Sequence, residues 1–132
     1  MLEDEWYYNS GRRLKGIKEI YQIMKNQGYE VNFKMWRDDS DMTILLEATR
    51  QGNDEIVEWL LEEVKVDINE QGKHGFTALH YAVMLDRKSC ALILLRHQAA
   101  HLESRYGTPL YWAKICENKE MQNLLKTHFN LR

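Results

Sequence analysis

The stretch T-A-L-H-Y-A at residues 77–82 recurs as T-P-L-Y-W-A at residues 108–113, and a degraded copy, T-I-L-L-E-A, stands at residues 43–48. The copies therefore begin 34 and 31 residues apart. A motif that returns about every 33 residues indicates that one supersecondary unit has been stacked repeatedly. This repetition predicts a repeat fold and favours binding of a partner over catalysis as the function.

Each copy of the motif predicts a pair of helices. A leucine lies three residues before the last alanine of each copy, so the two share one helical face, and the leading threonine is placed to cap the helix. A second apolar stripe follows at 8, 11 and 12 residues after the alanine in all three copies. These stripes consist of Ile56, Trp59 and Leu60, then Cys90, Ile93 and Leu94, and finally Met121, Leu124 and Leu125.

The amino-terminal third carries a weaker version of this pattern. Ile20, Ile23 and Met24 repeat the second-helix stripe, and residues 28–32 match residues 65–69. Its first helix is short or missing, as suits a terminal repeat that acts as a cap. We expect one domain over residues 1–132. It comprises a degenerate capping repeat with an inserted loop at 1–38, repeats at 39–72 and 73–103, and a C-terminal capping repeat at 104–132.

These residues resemble the ankyrin repeat, whose pattern is G-x-T-P-L-H-x-A, then a second helix that ends in two leucines, then G-A-D-V-N. The resemblance covers about four repeats, of which the first is degenerate, and it is most specific for residues 75–103. It implies an all-α solenoid of stacked helix-turn-helix units joined by short hairpin-like loops. One departure is that Gly107 directly precedes Thr108, with one residue of the pattern missing.

Composition narrows the classes of function. A net charge of −2 does not favour nucleic acid as a partner. The acidic amino terminus does not read as a signal peptide, and no apolar run approaches the ~18 residues that span a bilayer. Cys90 and Cys116 are interpreted as buried free thiols in a reducing compartment. We therefore expect an intracellular protein, cytoplasmic or nuclear, without a membrane partner.

Three groups of residues resemble nucleotide-binding, metal-binding or catalytic sites, but a structural role explains each group better. Residues 11–16 mimic part of a phosphate-binding loop, but Ile17 stands where lysine is required. The basic residues there are interpreted as a solvated face, with nuclear import or phosphate contact as the alternative. His97 and His101 are predicted to lie on different surfaces, and the acidic residues around Glu58 and Glu62 on an outward helix face. We expect no enzymatic activity, no cofactor and no metal site.

One position is a candidate for modification. Leu61 precedes Asn69 by eight residues, with Asp67 and Ile68 between them. This spacing resembles the asparagine-hydroxylation sequence of many ankyrin hairpins, which implies that Asn69 is a possible modification site.

The resemblance implies binding through the concave side, which hairpin tips and exposed faces of first helices form. The predicted function is a non-catalytic protein–protein interaction module, monomeric when free, that regulates or inhibits one partner protein. The alternative is a permanent scaffold subunit of a larger assembly. The predicted partner-binding residues are Trp36, Met42, Glu47, Arg50, Lys73, His74, Phe76, Tyr81, Met84, Leu85, Arg105, Tyr106 and Trp112.

Overall fold

The computed structural model describes residues 16–29 and 37–131, and this part of the chain contains seven α-helices. They are α1 (Ile17–Asn26), α2 (Ile44–Gln51), α3 (Asp54–Trp59), α4 (Ala78–Met84), α5 (Lys88–Arg96), α6 (Pro109–Ile115) and α7 (Lys119–Phe129). A π turn, Leu60–Val64, continues α3, and a short 3₁₀ turn, Lys73–Gly75, precedes α4. Within the described ranges, β pairing is limited to the isolated bridges Arg37–Thr43 and Ser104–Gly107. The predicted all-α fold is confirmed.

The first helix of each pair begins at the threonine of the motif. The hydroxyls of Thr43, Thr77 and Thr108 each accept a hydrogen bond from the backbone N–H three residues later, at 3.2–3.4 Å. Each bond satisfies one of the N–H groups that a helix start leaves without a partner. Pro109 then occupies the first turn of α6, where a missing N–H costs nothing.

The turns also repeat, although their residue types do not. The residue between the two helices of each pair has a left-handed backbone, and so does the residue that follows each second helix. These positions are Gly52, Asp86 and Glu117 between helices, and Lys65, Gln98 and Asn130 after them. Only Gly52 among the six adopts this conformation without steric cost. The stack therefore imposes the same backbone path on different residues.

The core lies between neighbouring helix pairs. Ala48, Ala82 and Ala113 are fully buried, and their small side chains let α2, α4 and α6 pack closely side by side. The second helices contribute Leu60, Leu94 and Leu125, which are equally inaccessible to solvent. The predicted stripes omitted Val57, which is also fully buried in the core. Stacking thus supplies the hydrophobic contacts that one helix pair lacks.

Helix α1 presents a different face from the one predicted. Ile20 and Ile23 are each 55% exposed, whereas Ile17 is 5% exposed. The ring of Tyr21 meets that of Trp59 edge-on, with centroids 5.3 Å apart. The prediction of Ile20 and Ile23 as an inner stripe was wrong, because Ile17 and Tyr21 are the residues that α1 turns towards α3. The first helix proposed for this repeat lies outside the described residues.

Hydrogen bonds hold successive hairpin tips in register. The N–H of Arg105 donates to the carbonyl of His74 at 2.8 Å, and the N–H of Ala100 donates to Oδ1 of Asn69 at 2.9 Å. Because these bonds join residues about 31 positions apart, each tip is placed directly beside the next. The helices of the described segments are all too short or too polar to cross a membrane.

Candidate partner-binding site

Phe76 lies at the centre of a group of aromatic side chains near the carboxyl-terminal end of the stack. Its ring centroid is 5.9 Å from that of His74, 5.8 Å from Tyr81 and 5.9 Å from Trp112, all close to edge-on. Such edge-to-face pairs are favourable beyond the area they bury. We call this group the aromatic cluster; it consists of His74, Phe76, Tyr81, Tyr106, Tyr111 and Trp112.

The hairpin tips position the outer members of the cluster. His74 has a left-handed backbone with φ 63°, and its carbonyl receives the N–H of Arg105. Ser104 closes the next tip, because its N–H and its hydroxyl both donate to the carbonyl of Gly107, at 2.9 and 2.6 Å. The two tips therefore lie side by side, and the Tyr106 ring comes within 5.0 Å of the His74 ring.

A surface pocket of about 420 Å³ opens beside the cluster. Its lining residues are Tyr106, Gly107, Tyr111, Trp112 and Ile115. Gly107 shapes the floor, since its φ is 116° and a Cβ added there would lie 2.4 Å from Cδ1 of Tyr111. The pocket is an open depression with a mainly apolar lining, which suits a side chain of a partner protein.

The surroundings of the cluster combine aromatic rings with positive charge. The Arg105 guanidinium lies 5.8 Å from the centre of the Tyr106 ring, and Lys73 is exposed on the neighbouring tip. Burial raises the pKa of Tyr81 above its ordinary value, although nearby Arg50 lowers it. The Tyr81 hydroxyl thus stays neutral at physiological pH and is available to donate or accept hydrogen bonds.

His80 forms the scaffold under the cluster and is completely buried. Its Nδ1 accepts the N–H of Thr77 at 3.0 Å, so the proton resides on Nε2, which donates to the Gly107 carbonyl at 3.1 Å. Burial lowers the pKa of His80 to about 4. The imidazole is therefore neutral, links two hairpins and fixes the carbonyl next to the pocket.

The structure contradicts two of the predicted surface positions. Met42 is 8% exposed and its side chain belongs to the core, while its N–H is held by the Asp38 carboxylate at 2.9 Å. Glu47 is 2% exposed, and its carboxylate accepts hydrogen bonds from Arg50 and Gln51. The prediction that these two residues are exposed was wrong, because Met42 packs in the core and Glu47 is covered while it pairs with Arg50 and Gln51.

The remaining predicted residues fall into three groups. Lys73, Leu85, Arg105 and Tyr106 are exposed. Half-buried positions are Arg50, His74, Phe76, Tyr81, Met84 and Trp112. Trp36 lies outside the described residues. Of the accessible residues, the structure gathers His74, Phe76, Tyr81, Tyr106 and Trp112 into one cluster. Their contact with a partner stays a prediction.

Tyr111 was absent from the predicted set, although it is 49% exposed and lines the pocket. It occupies the motif position of the buried His80. Tyr111 lies on the surface because no hairpin of the described residues covers it, whereas the hairpin that contains Gly107 covers His80.

The two cysteines differ, contrary to the expectation that both are buried. Cys90 is buried and its thiol donates to Oδ1 of Asp54 at 3.1 Å, whereas Cys116 is exposed. Burial raises the pKa of the Cys90 thiol to about 12, so it stays protonated. Asn69, the predicted modification site, is half-buried and uses its Oδ1 to join two hairpins.

Comparison with known proteins identifies the type of repeat. A family model described as ankyrin repeats (3 copies) matches residues 14–106. Alpha-latroinsectotoxin-Lt1a from Latrodectus tredecimguttatus is 48% identical over 52 residues. The matched segment is 39% of this chain but only 4% of that protein, so the likeness concerns a small part of it.

Proposed function

This chain belongs to the ankyrin-repeat family, whose members are generally protein–protein interaction modules, and we propose that it binds a partner protein through the aromatic cluster and the adjoining pocket. The observation that carries the proposal is the collection of half-exposed apolar side chains around one depression. Tyr106 is 48% exposed, Tyr111 49% and Ile115 56%. A contiguous apolar patch of this kind marks an interaction site.

The residue types in the patch are those that dominate binding energy at interfaces. Tyrosine, tryptophan and arginine are enriched among hot spots, and they act from well-packed positions near the centre of an interface. Trp112 is such an anchor, since Phe76 and Tyr111 pack against it at 5.9 and 6.1 Å. Arg105 stands at the rim, where it is free to meet a carboxylate.

The chemistry of the surface suggests the chemistry of the partner segment. The pocket suits an aliphatic or aromatic side chain, and Lys73 and Arg105 favour acidic residues next to it. The indole N–H of Trp112 is buried and lacks an acceptor among the described residues, which costs about 1–3 kcal/mol.

The proposed consequence of binding is regulation of the partner by inhibition or retention. A preformed surface that covers part of a partner prevents other molecules from using that part. The chain therefore acts in our proposal as a regulator or inhibitor in the cytoplasm or nucleus.

The test compares matched truncations on two faces of the stack. Ile115→Ala removes a side chain from the pocket, while Leu92→Ala removes a similar, 46% exposed side chain from helix α5. Affinity purification from one cell lysate, with quantification of the bound proteins, should recover a protein with the wild type and with Leu92→Ala. Ile115→Ala and Tyr111→Ala should lose it by at least about tenfold. Equal recovery by all four chains would contradict the proposal.

One observation favours the second candidate, a permanent subunit of an assembly. The exposed Ile20 and Ile23 lie on α1, at the opposite end of the stack from the pocket. Light scattering of the purified chain distinguishes the candidates. A regulator should remain monomeric at high concentration, whereas a subunit should self-associate, and Ile23→Ser should then reduce the association.

A further inference from the structure

Three potential metal ligands from two repeats meet on the second helices, away from the aromatic cluster. Glu58 lies on α3, Glu62 lies in the π turn that continues it, and His97 caps the end of α5. One ligand atom from each of the three lies within 4.8 Å of the other two. These glutamates were predicted to lie on an outward helix face, and their proximity to His97, 35 residues beyond Glu62, was not foreseen.

The separation of two of these atoms suits a small divalent cation. Nε2 of His97 is 3.5 Å from Oε1 of Glu62. A tetrahedral zinc ion binds nitrogen and oxygen ligands at about 2.0–2.2 Å, which places two ligand atoms about 3.4 Å apart. The His97 and Glu62 side chains therefore need little movement to bind one ion together.

The burial of one imidazole nitrogen also supports a role of His97 as a ligand. Nε2 of His97 is inaccessible to solvent and has no hydrogen-bond partner within the described ranges. Buried polar atoms are normally paired, so an atom in this position calls for an explanation such as an ion. A neutral imidazole nitrogen is the commonest protein ligand for zinc, and carboxylates complete such sites.

The carboxylate of Glu58, the third potential ligand, already pairs with a basic residue. The Arg96 guanidinium forms a hydrogen bond and ion pair with Glu58, whose side chain is 40% exposed. This contact is at the surface, where ion pairs contribute little stability, so a divalent cation can compete with it. Arg96 would then swing into solvent, since it is itself 61% exposed.

We propose that Glu58, Glu62 and His97 form a three-ligand site for Zn²⁺ that ties α3 to α5. Water completes the coordination of the ion on the exposed side. Zinc binding links the second helices of two successive repeats and therefore stabilises the stack. The site is separate from the aromatic cluster, so this proposal stands or falls independently of partner binding.

Calorimetric titration of the full chain with ZnCl₂ tests the site, in a Cys116→Ser background that removes the exposed thiol. Zinc should bind and raise the thermal midpoint by at least about 4 °C at saturation. His97→Ala and Glu62→Gln should each weaken binding by at least about tenfold. Mg²⁺ should cause no shift, because it avoids imidazole ligands.

Two further variants separate this site from adventitious binding. His128→Ala, which removes an exposed histidine outside the proposed site, should leave zinc affinity unchanged. Arg96→Ala should strengthen binding because it releases Glu58; unchanged or weaker binding would remove Glu58 from the site. An absence of zinc binding to the wild type, or equal binding by His97→Ala and Glu62→Gln, would overturn the proposal.

Discussion

The repeat containing α4 and α5 and the repeat containing α6 and α7 begin with nearly the same motif but use one position in opposite ways. His80 in the first is 0% exposed, whereas Tyr111 at the corresponding position of the second is 49% exposed. His80 is covered because the next hairpin places Gly107 over it. The same place in a motif can thus be core or binding surface, and the neighbouring repeat decides which.

The local structure of the two repeats is almost identical. Thr77 and Thr108 cap their helices in the same way, and Asp86 and Glu117 make the same left-handed turn. The difference therefore lies in packing between repeats. This teaches that exposure of a motif position depends on the neighbouring repeat, as the contrast of His80 with Tyr111 shows.

The largest effect that distinguishes the two repeats should come from their motif leucines. Leu79 is 1% exposed and packs between neighbours on both sides, while Leu110 is 8% exposed. Leu79→Ala should lower the free energy of unfolding by about 3–4 kcal/mol, and Leu110→Ala by about 2 kcal/mol. Urea unfolding followed by circular dichroism measures both values, and a larger loss for Leu110→Ala would reverse the comparison.

The next largest effect should be a dependence of stability on pH that originates at His80. Its pKa is about 4 in the folded chain, against an ordinary 6.5, so the unfolded chain binds more protons between these values. Stability should be full above about pH 6.5 and fall as the pH decreases towards 4, by about 3 kcal/mol in total. Burial lowers the pKa of His101 as well, which acts in the same direction.

Urea unfolding between pH 7 and pH 4 measures this dependence. His80→Gln should be less stable at pH 7, because it loses the bond to Gly107, but its stability should vary less with pH. If the free energy of unfolding of His80→Gln fell with decreasing pH as steeply as that of the wild type, other groups would be the cause of the acid sensitivity.

A smaller effect should follow from Gly107→Ala, which changes the hairpin tip of the last repeat. The new Cβ would clash with the Tyr111 ring, and φ of 116° is unfavourable for alanine. We expect a loss of about 1–3 kcal/mol and a displaced Tyr111 ring. The double variant with Tyr111→Ala should recover part of this loss, and a double-mutant cycle that shows strict additivity would contradict the clash.

The smallest effect should come from Tyr111→His, which gives the last repeat the residue found at position 80. The histidine would lack the following carbonyl that His80 binds within the described stack. The stability should therefore change by no more than about 0.5 kcal/mol. If Tyr111→His raised the free energy of unfolding by nearly as much as His80→Gln lowers it, a histidine at this motif position would stabilise its hairpin without a carbonyl from the next repeat.

Much of the fold could be predicted from spacing alone. The threonines mark helix starts because their hydroxyls cap N–H groups locally, and the leucines and alanines mark inner faces because helical periodicity fixes them. The prediction failed on α1, where Ile20 and Ile23 are exposed. Periodicity gives the spacing of an apolar face, but several registers share that spacing, and contact of Tyr21 with Trp59 selects another one.

The candidate site was predicted less completely. Position in the repeat correctly indicated that Tyr106 is exposed and that Trp112 is partly accessible. It misplaced Met42 and Glu47, because position in the repeat does not reveal that the Met42 side chain joins the core or that Arg50 and Gln51 pair with a covered Glu47. It also missed the proximity of Glu62 to His97, which depends on how two second helices align.

The sequence by itself determined the repeat length, the helix starts and the alternation of small and large inward residues, since these depend on interactions within a few positions of the chain. Only the tertiary structure decided which motif positions are covered and which distant side chains meet. The physical reason is that burial belongs to a pair of neighbouring hairpins: His80 and Tyr111 obey the same local rules, and the presence or absence of a packed neighbour makes one core and the other surface.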